Sequence, residues 1–194
     1  MQRHDFPETL ETARLLLRPF CMEDVAELLQ VAQQDGPKLL REFAEVAAIS
    51  STEQAAAFIS GKDEQWKLGA AFCYGLWGGD QKKLVGRIQV KNITWNVPAA
   101  ELGYFIVSSC QRQGFAGEAI RAVLACAFEQ NQFERIFVRI LPDNVESLGL
   151  AIKLGFQREG ILRNAFRCGH GKIHDVICWS LTSQDYRGAA APRP

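Results

Sequence analysis

The apolar positions of the chain follow two rhythms. In "RIQVKNI", Ile88 and Val90 alternate with Arg87, Gln89 and Lys91, the period of two expected of a strand with one face in a core. After Gly114, by contrast, Ala116, Ala119, Ile120, Val123, Leu124 and Ala127 recur at steps of three and one, which lines one face of an amphipathic helix. The same reading along the whole chain predicts a loose polar arm in "MQRHDFPE" and a first strand in "TARLLLRPF", stopped by Pro19. A helix follows in "CMEDVAELLQVAQQ", ended by Asp35-Gly36-Pro37, then helical segments in "KLLREFAEVA" and "SSTEQAAAFISGKDEQW". Ser51 and Gln54 have the spacing of a capping box at the start of the last of these.

Two β-rich runs around Gly78-Gly79-Asp80 predict a half-buried antiparallel hairpin, and "AELGYFIVSS" and "RIFVRIL" predict further strands. "NVESLGLAIKL" predicts a helix ending at Gly155, and "ILRNAFRC" with "IHDVICWSL" a terminal hairpin around "GHGK". Residues 1–186 read as one domain and 187–194, "RGAAAPRP", as a disordered tail.

Composition narrows the class of protein. A chain of 194 residues with 47% hydrophobic and 23% charged content can bury a substantial core. Lys plus Arg balance Asp plus Glu at 22 each, so no global field attracts a polyanion, which disfavours nucleic-acid binding. The N-terminal residues lack the apolar core of a signal peptide, and no apolar run reaches the length of a membrane span. Cys21, Cys73, Cys110, Cys126, Cys168 and Cys178 are scattered and form no C-x-x-C pair. That usage fits free thiols in a reducing cytoplasm.

Candidate chemistry concentrates in "CQRQGFAGEA", residues 110–119, between a strand and the strongest helix. A glycine-containing loop opening a helix offers unpaired amides and the positive end of the helix dipole, which suit a phosphate. Packing of small residues at a helix start is the competing explanation. The loop lacks the Lys of a P-loop and the acidic partner of a dinucleotide fold, so ATP and NAD are disfavoured. Farther on, Asn144 or Asp143 can cap a helix in which Ser147 lies one turn in. Cys168, His170, His174 and Asp175 sit around a glycine-rich turn and fall short of a zinc ligand set, so no metal is expected.

Taken jointly, Q-x-x-G-x-A after a strand bearing Glu101, followed by N-x-x-S-x-x-x-x-x-K-L-G-F, resembles the GNAT acetyltransferase superfamily. "TARLLLRPFCMEDV", "LGFQREGILRNAF" and "HDVICWSL" resemble its branch that acetylates ribosomal-protein N-termini. The resemblance spans nearly the whole chain and implies an α/β fold: a mixed, mostly antiparallel, seven-stranded sheet flanked by helices, its fourth and fifth strands splayed to admit acetyl-CoA. It implies that the loop residues Gln111, Arg112, Gln113, Gly114, Phe115, Ala116 and Gly117 hold the CoA pyrophosphate. The backbone of Ile106, Val107 and Ser108 would pair with the pantetheine arm, the Val107 amide polarising the thioester carbonyl.

By the same resemblance Glu101 is the general base, Ser147 the proton donor to the leaving thiolate, and Asn144 a CoA contact or helix cap. Two positions depart from the pattern: Ala151 stands where much of the superfamily has a Tyr, and Phe166 where some of the branch has a Glu. Trp66 is placed beside the acceptor groove. The implied activity is acetyl transfer from acetyl-CoA to a primary amine by direct attack, with a protein or peptide N-terminal α-amine as acceptor. A small-molecule amine, or CoA binding without catalysis, stays open on the residues alone, as does monomer against homodimer.

Overall fold

A computed structural model of the chain describes residues 6–78 and 83–190. The start of the polar arm, Gly79 and Asp80 of the expected turn, and residues 191–194 of the expected tail lie outside the described residues. The elements run β1 (Leu10–Glu11), β2 (Leu15–Arg18), α1 (Val25–Leu39), α2 (Ala44–Ala47), α3 (Thr52–Lys67), β3 (Phe72–Gly78), β4 (Lys83–Thr94) and β5 (Ala99–Ile106). Then come α4 (Phe115–Ala125), β6 (Arg135–Ile140), α5 (Val145–Lys153), β7 (Gln157–Arg167), β8 (Ile173–Thr182) and α6 (Ser183–Ala190).

The strands form one sheet in the order β1-β2-β3-β4-β5-β6-β8-β7. Every pairing is antiparallel except β5 with β6. The sheet has eight strands rather than seven, because the short β1 adds an edge beside β2.

One core cluster sets Phe72, Tyr74, Ile88, Val90 and Leu102 against Ala119, Ile120 and Val123 of α4. The other sets Cys73, Trp77, Leu84 and Phe105 against Leu28, Val46, Ala55 and Ile59 of the first three helices. Coverage of both faces corrects the half-buried hairpin: Arg87 and Gln89, on what reads as the wet face of β4, are buried at 3% and 5% exposure. Arg87 tolerates this because its guanidinium pairs with Glu45 at 2.6 Å and lies over Phe43, Phe58 and Phe105.

Two other expectations need correction. Helix α1 does not stop at Asp35-Gly36-Pro37 but runs to Leu39 with Pro37 inside it. Proline crowds the Cβ of the residue before it, and Gly36 has none, so the helical conformation survives there. At the other end of the chain, α6 continues through residues 187–190, the first part of the stretch read as a tail.

Candidate active site

Strands β5 and β6 pair in parallel only from Ala99 with Arg135 to Glu101 with Phe137. Beyond that point each continues without the other, and a cleft of about 560 Å3 opens at the gap. The Val107 amide donates to Val85 O at 2.9 Å, and the Ser108 amide to the buried Asp35 carboxylate at 2.5 Å. Neither is free for a bound molecule, which corrects the oxyanion role expected of Val107. In an antiparallel ladder alternate residues bond to the same neighbour, so with Val107 turned to β4, the amides of Tyr104 and Ile106 face the gap.

Past β5 the chain turns through Gln111–Gly114 into α4. Arg112 (φ 62) and Gly114 (φ 86) hold left-handed conformations. The first intrahelical bond of α4 runs from the Glu118 amide to Gly114 O, so the Phe115, Ala116 and Gly117 amides point out of the helix start. Gly114, Phe115, Ala116 and Gly117 line the cleft together with Gln111 and Arg112. Gln113 is not among its lining residues; its carbonyl accepts from Arg14 at 2.8 Å. Arg14 also pairs with Glu118 at 2.6 Å and stacks over Phe115, tying the turn to the start of β2. The cradle therefore suits a phosphate: several amides converge at a helix start, and the adjacent Glu118 is already neutralised.

Helix α5 closes the opposite wall. Asn144 caps it by accepting from the Ser147 amide at 3.1 Å, and its Nδ2 donates to both oxygens of Glu42 at 3.1 and 3.3 Å. Asn144 and Ser147 both line the cleft. The Tyr104 hydroxyl interacts with the Ser147 side chain; burial pushes the Tyr104 pKa up, and Ser147 partly offsets this. Ala151 is 4% exposed in the core, one turn away.

Glu101 sits at the base of the gap, 5% exposed. Asn92 Nδ2 donates to its carboxylate at 2.6 Å and Arg139 at 2.9 Å, with the Lys91 ammonium 3.8 Å away. These partners occupy the carboxylate with contacts from β4 and β6. On the far side of β5 a polar groove of about 440 Å3 runs between α2, α3 and β4, lined by Glu45, Lys62, Gln65, Arg87, Gln89 and Lys91 among others. Trp66 is not part of it; the ring packs edge-on against Phe72 and Tyr74, because the helical turn sends Gln65 to the groove instead.

Two residues unmarked by the sequence stand out, Tyr104 and Glu42. Glu42 lines the cleft, the polar groove and a small cavity holding Glu101 and Phe166. Burial raises its carboxyl pKa, and the nearby Asp143 adds to this, while Asn144 and Arg41 pull the other way. The only signal in the sequence was an acidic residue within a stretch that reads as continuous helix. Among the described residues no group of three His, Cys, Asp or Glu side chains is gathered as metal ligands. The turn carrying His170 instead packs its Gly169 against Leu40 and Ala44, next to Glu42.

The sequence model of the Acetyltransferase (GNAT) domain matches residues 14–157. The chain belongs to the GNAT acetyltransferase family. Over 172 residues this GNAT protein is 30% identical to YoaA of Bacillus subtilis (strain 168), an uncharacterized N-acetyltransferase, covering 89% of this chain and 95% of that one. It is 30% identical over 125 residues to the [ribosomal protein uS5]-alanine N-acetyltransferase of Escherichia coli (strain K12), covering 64% of each. In fold it matches RimL, the ribosomal L7/L12 alpha-N-protein acetyltransferase solved with coenzyme A. The TM-score is 0.81 at 22% identity, over 91% of this chain and 97% of that one. The GNAT chain is an acetyl-CoA-dependent N-acetyltransferase.

Proposed function

We propose that the acceptor is the N-terminal α-amine of a protein, with ribosomal proteins as the substrate class. The observation that carries this is the polar groove, which opens at the surface and meets the donor cleft at Glu42 and Phe43. An extended chain terminus laid along it presents its amine to the gap between β5 and β6. The energetics agree: an α-amine of pKa about 7.8 costs about 1 kcal/mol to deprotonate at pH 7, against about 4.6 kcal/mol for a lysine of pKa about 10.4. A single carboxylate suffices for the former.

In this reading the α4 amides and Arg112 bind the pyrophosphate. The Tyr104 and Ile106 amides receive the pantetheine arm, and Ser147, backed by Tyr104, returns a proton to the departing thiolate. Glu101 fixes Arg139 and Lys91 beneath the gap. The free cysteines agree with action in the reducing cytoplasm. Among the described residues no helix is long and apolar enough to cross a membrane.

The test is thiol release from acetyl-CoA with peptides beginning in Ala or Ser, set against polyamines, free amino acids and aminoglycosides. Acetylated α-amines, located by mass spectrometry, are expected. Turnover confined to the small amines would sink the assignment.

A further inference from the structure

We propose that Glu42, on the loop between α1 and α2, is the general base that takes the proton from the acceptor amine. The proposal rests on the reading of this site as one that acetylates an α-amine. Glu42 is placed by three contacts that meet on its loop. Asn144 donates to its carboxylate from the cap of α5, and the neighbouring Arg41 pairs with both oxygens of Asp143 at 2.9 Å. The Gly169 amide, from the turn between β7 and β8, donates to Arg41 O at 3.3 Å. The loop is thus held beside the gap by two separate parts of the chain, in addition to its own backbone hydrogen bonds.

From there the carboxylate borders both the cleft for the acetyl donor and the groove for the acceptor. Glu101 is among the lining of neither; it faces the small cavity and is occupied by Asn92 and Arg139. Glu42 has a neutral amide as its hydrogen-bond partner, and burial disfavours its charge, so proton uptake relieves rather than breaks an ion pair.

The groups around it are mixed in sign. Asp143 comes from the loop before α5 and Glu146 from α5 itself, and Asp35 and Lys38 come from α1. Tyr104 and Glu101 lie on β5, Lys91 on β4 and Arg139 on β6. Across the groove stand Glu45, Lys62 and Arg87, and beyond the cleft Cys110 and Arg112.

The step balances simply. The ammonium gives one proton to the Glu42 carboxylate, and the freed nitrogen pair bonds to the acetyl carbon. The carbon–sulfur bond then breaks with its electrons on sulfur. The thiolate takes a proton from the Ser147 hydroxyl, and the nitrogen's second proton, lost as the amide forms, replaces it. The products are amide, thiol and protonated Glu42, which returns its proton to water.

The experiment compares the intact enzyme with Glu42→Gln and Glu42→Asp, using whichever amine the wild type acetylates. Glu42→Gln is expected to lose about 100-fold or more in kcat at pH 7 while keeping KM for acetyl-CoA. The acid limb of its kcat profile should move up to the amine's own pKa, about 7.8 for an α-amine. Glu42→Asp keeps a limb below the amine's and an intermediate rate. An unchanged limb in Glu42→Gln overturns the proposal, as does a pH-independent loss with a raised KM for acetyl-CoA. If Glu42→Gln does not fold, a limb in Glu42→Asp at the amine's pKa overturns it. A wild type that acetylates only small amines refutes the α-amine acceptor instead, and the same variants on that amine still decide the role of Glu42.

Discussion

Four side chains divide the polar work of the gap, and their partners separate their roles. The buried Glu101 carboxylate is held by Asn92, Arg139 and Lys91, which themselves reach toward solvent. Glu101→Gln should therefore lower stability by about 1 kcal/mol, since solvent screens the partly exposed Arg139 and Lys91 that lose their counter-charge, yet leave the acid limb of the rate profile where it was. Urea denaturation and a pH–rate series measure the two effects. Ser147 donates its amide to Asn144 while its hydroxyl stays on the cleft side with Tyr104. Ser147→Ala should keep the cap, and with it the fold, but reduce kcat by about 10-fold to 100-fold. Asn144→Ala should cost about 1 kcal/mol of stability through the lost cap, and it also releases Glu42. A thermal melt together with steady-state kinetics distinguishes these variants.

At the scale of elements, glycine backbone shapes the turn into α4 and the seat of the loop that carries Glu42. Gly114 begins α4 at φ 86, and a Cβ there would enter the left-handed region. Gly114→Ala should cost about 1 kcal/mol, tilt the first amides of α4, and raise KM for acetyl-CoA more than it lowers kcat. At the loop that carries Glu42, a Cβ on Gly169 would collide with the Leu40 carbonyl oxygen, which is backbone and cannot turn away. Gly169→Ala should push the loop carrying Glu42 off its seat. Its effect should fall on kcat, with acetyl-CoA binding in a direct titration little changed, because the atoms it meets belong to Leu40 and Ala44 and not to α4.

For the molecule as a whole, the cleft and the polar groove meet beside one charged cluster, Glu45, Lys62 and Arg87, set between the helices and the sheet. Burial opposes ionisation of Glu45, but the Arg87 guanidinium and Lys62 ammonium outweigh it and hold the carboxyl at about 2. A carboxyl with a depressed folded pKa adds stability above its ordinary value, near 4.5, and loses it as pH falls toward about 2. About half of the Glu45 side chain is in water, so the contribution is about 1 kcal/mol after solvent screening. Urea midpoints should fall between neutral and acid pH, and Glu45→Gln should flatten that part of the dependence.

The sequence by itself determined most of the elements and singled out the turn that opens α4. Period-two and helical patterns reflect which face of each element meets the core, and the turn is contiguous in the chain, from Gln111 to Gly117. Such features are local, so a local reading finds them. Tertiary structure alone decided what the side chains and amides are free to do. Arg87 reads as solvent-facing until α1, α2 and α3 cover the second face of the sheet. Val107 reads as available until the register with Val85 fixes which way its amide points. Glu101 reads as unpaired until Arg139, on another strand, is brought beside it. Glu42 gains its position only when α5 and the β7–β8 turn clamp its loop over the gap. Each of these outcomes depends on partners distant in sequence, and the free energy of a charge or an amide is set by those partners rather than by its neighbours in the chain.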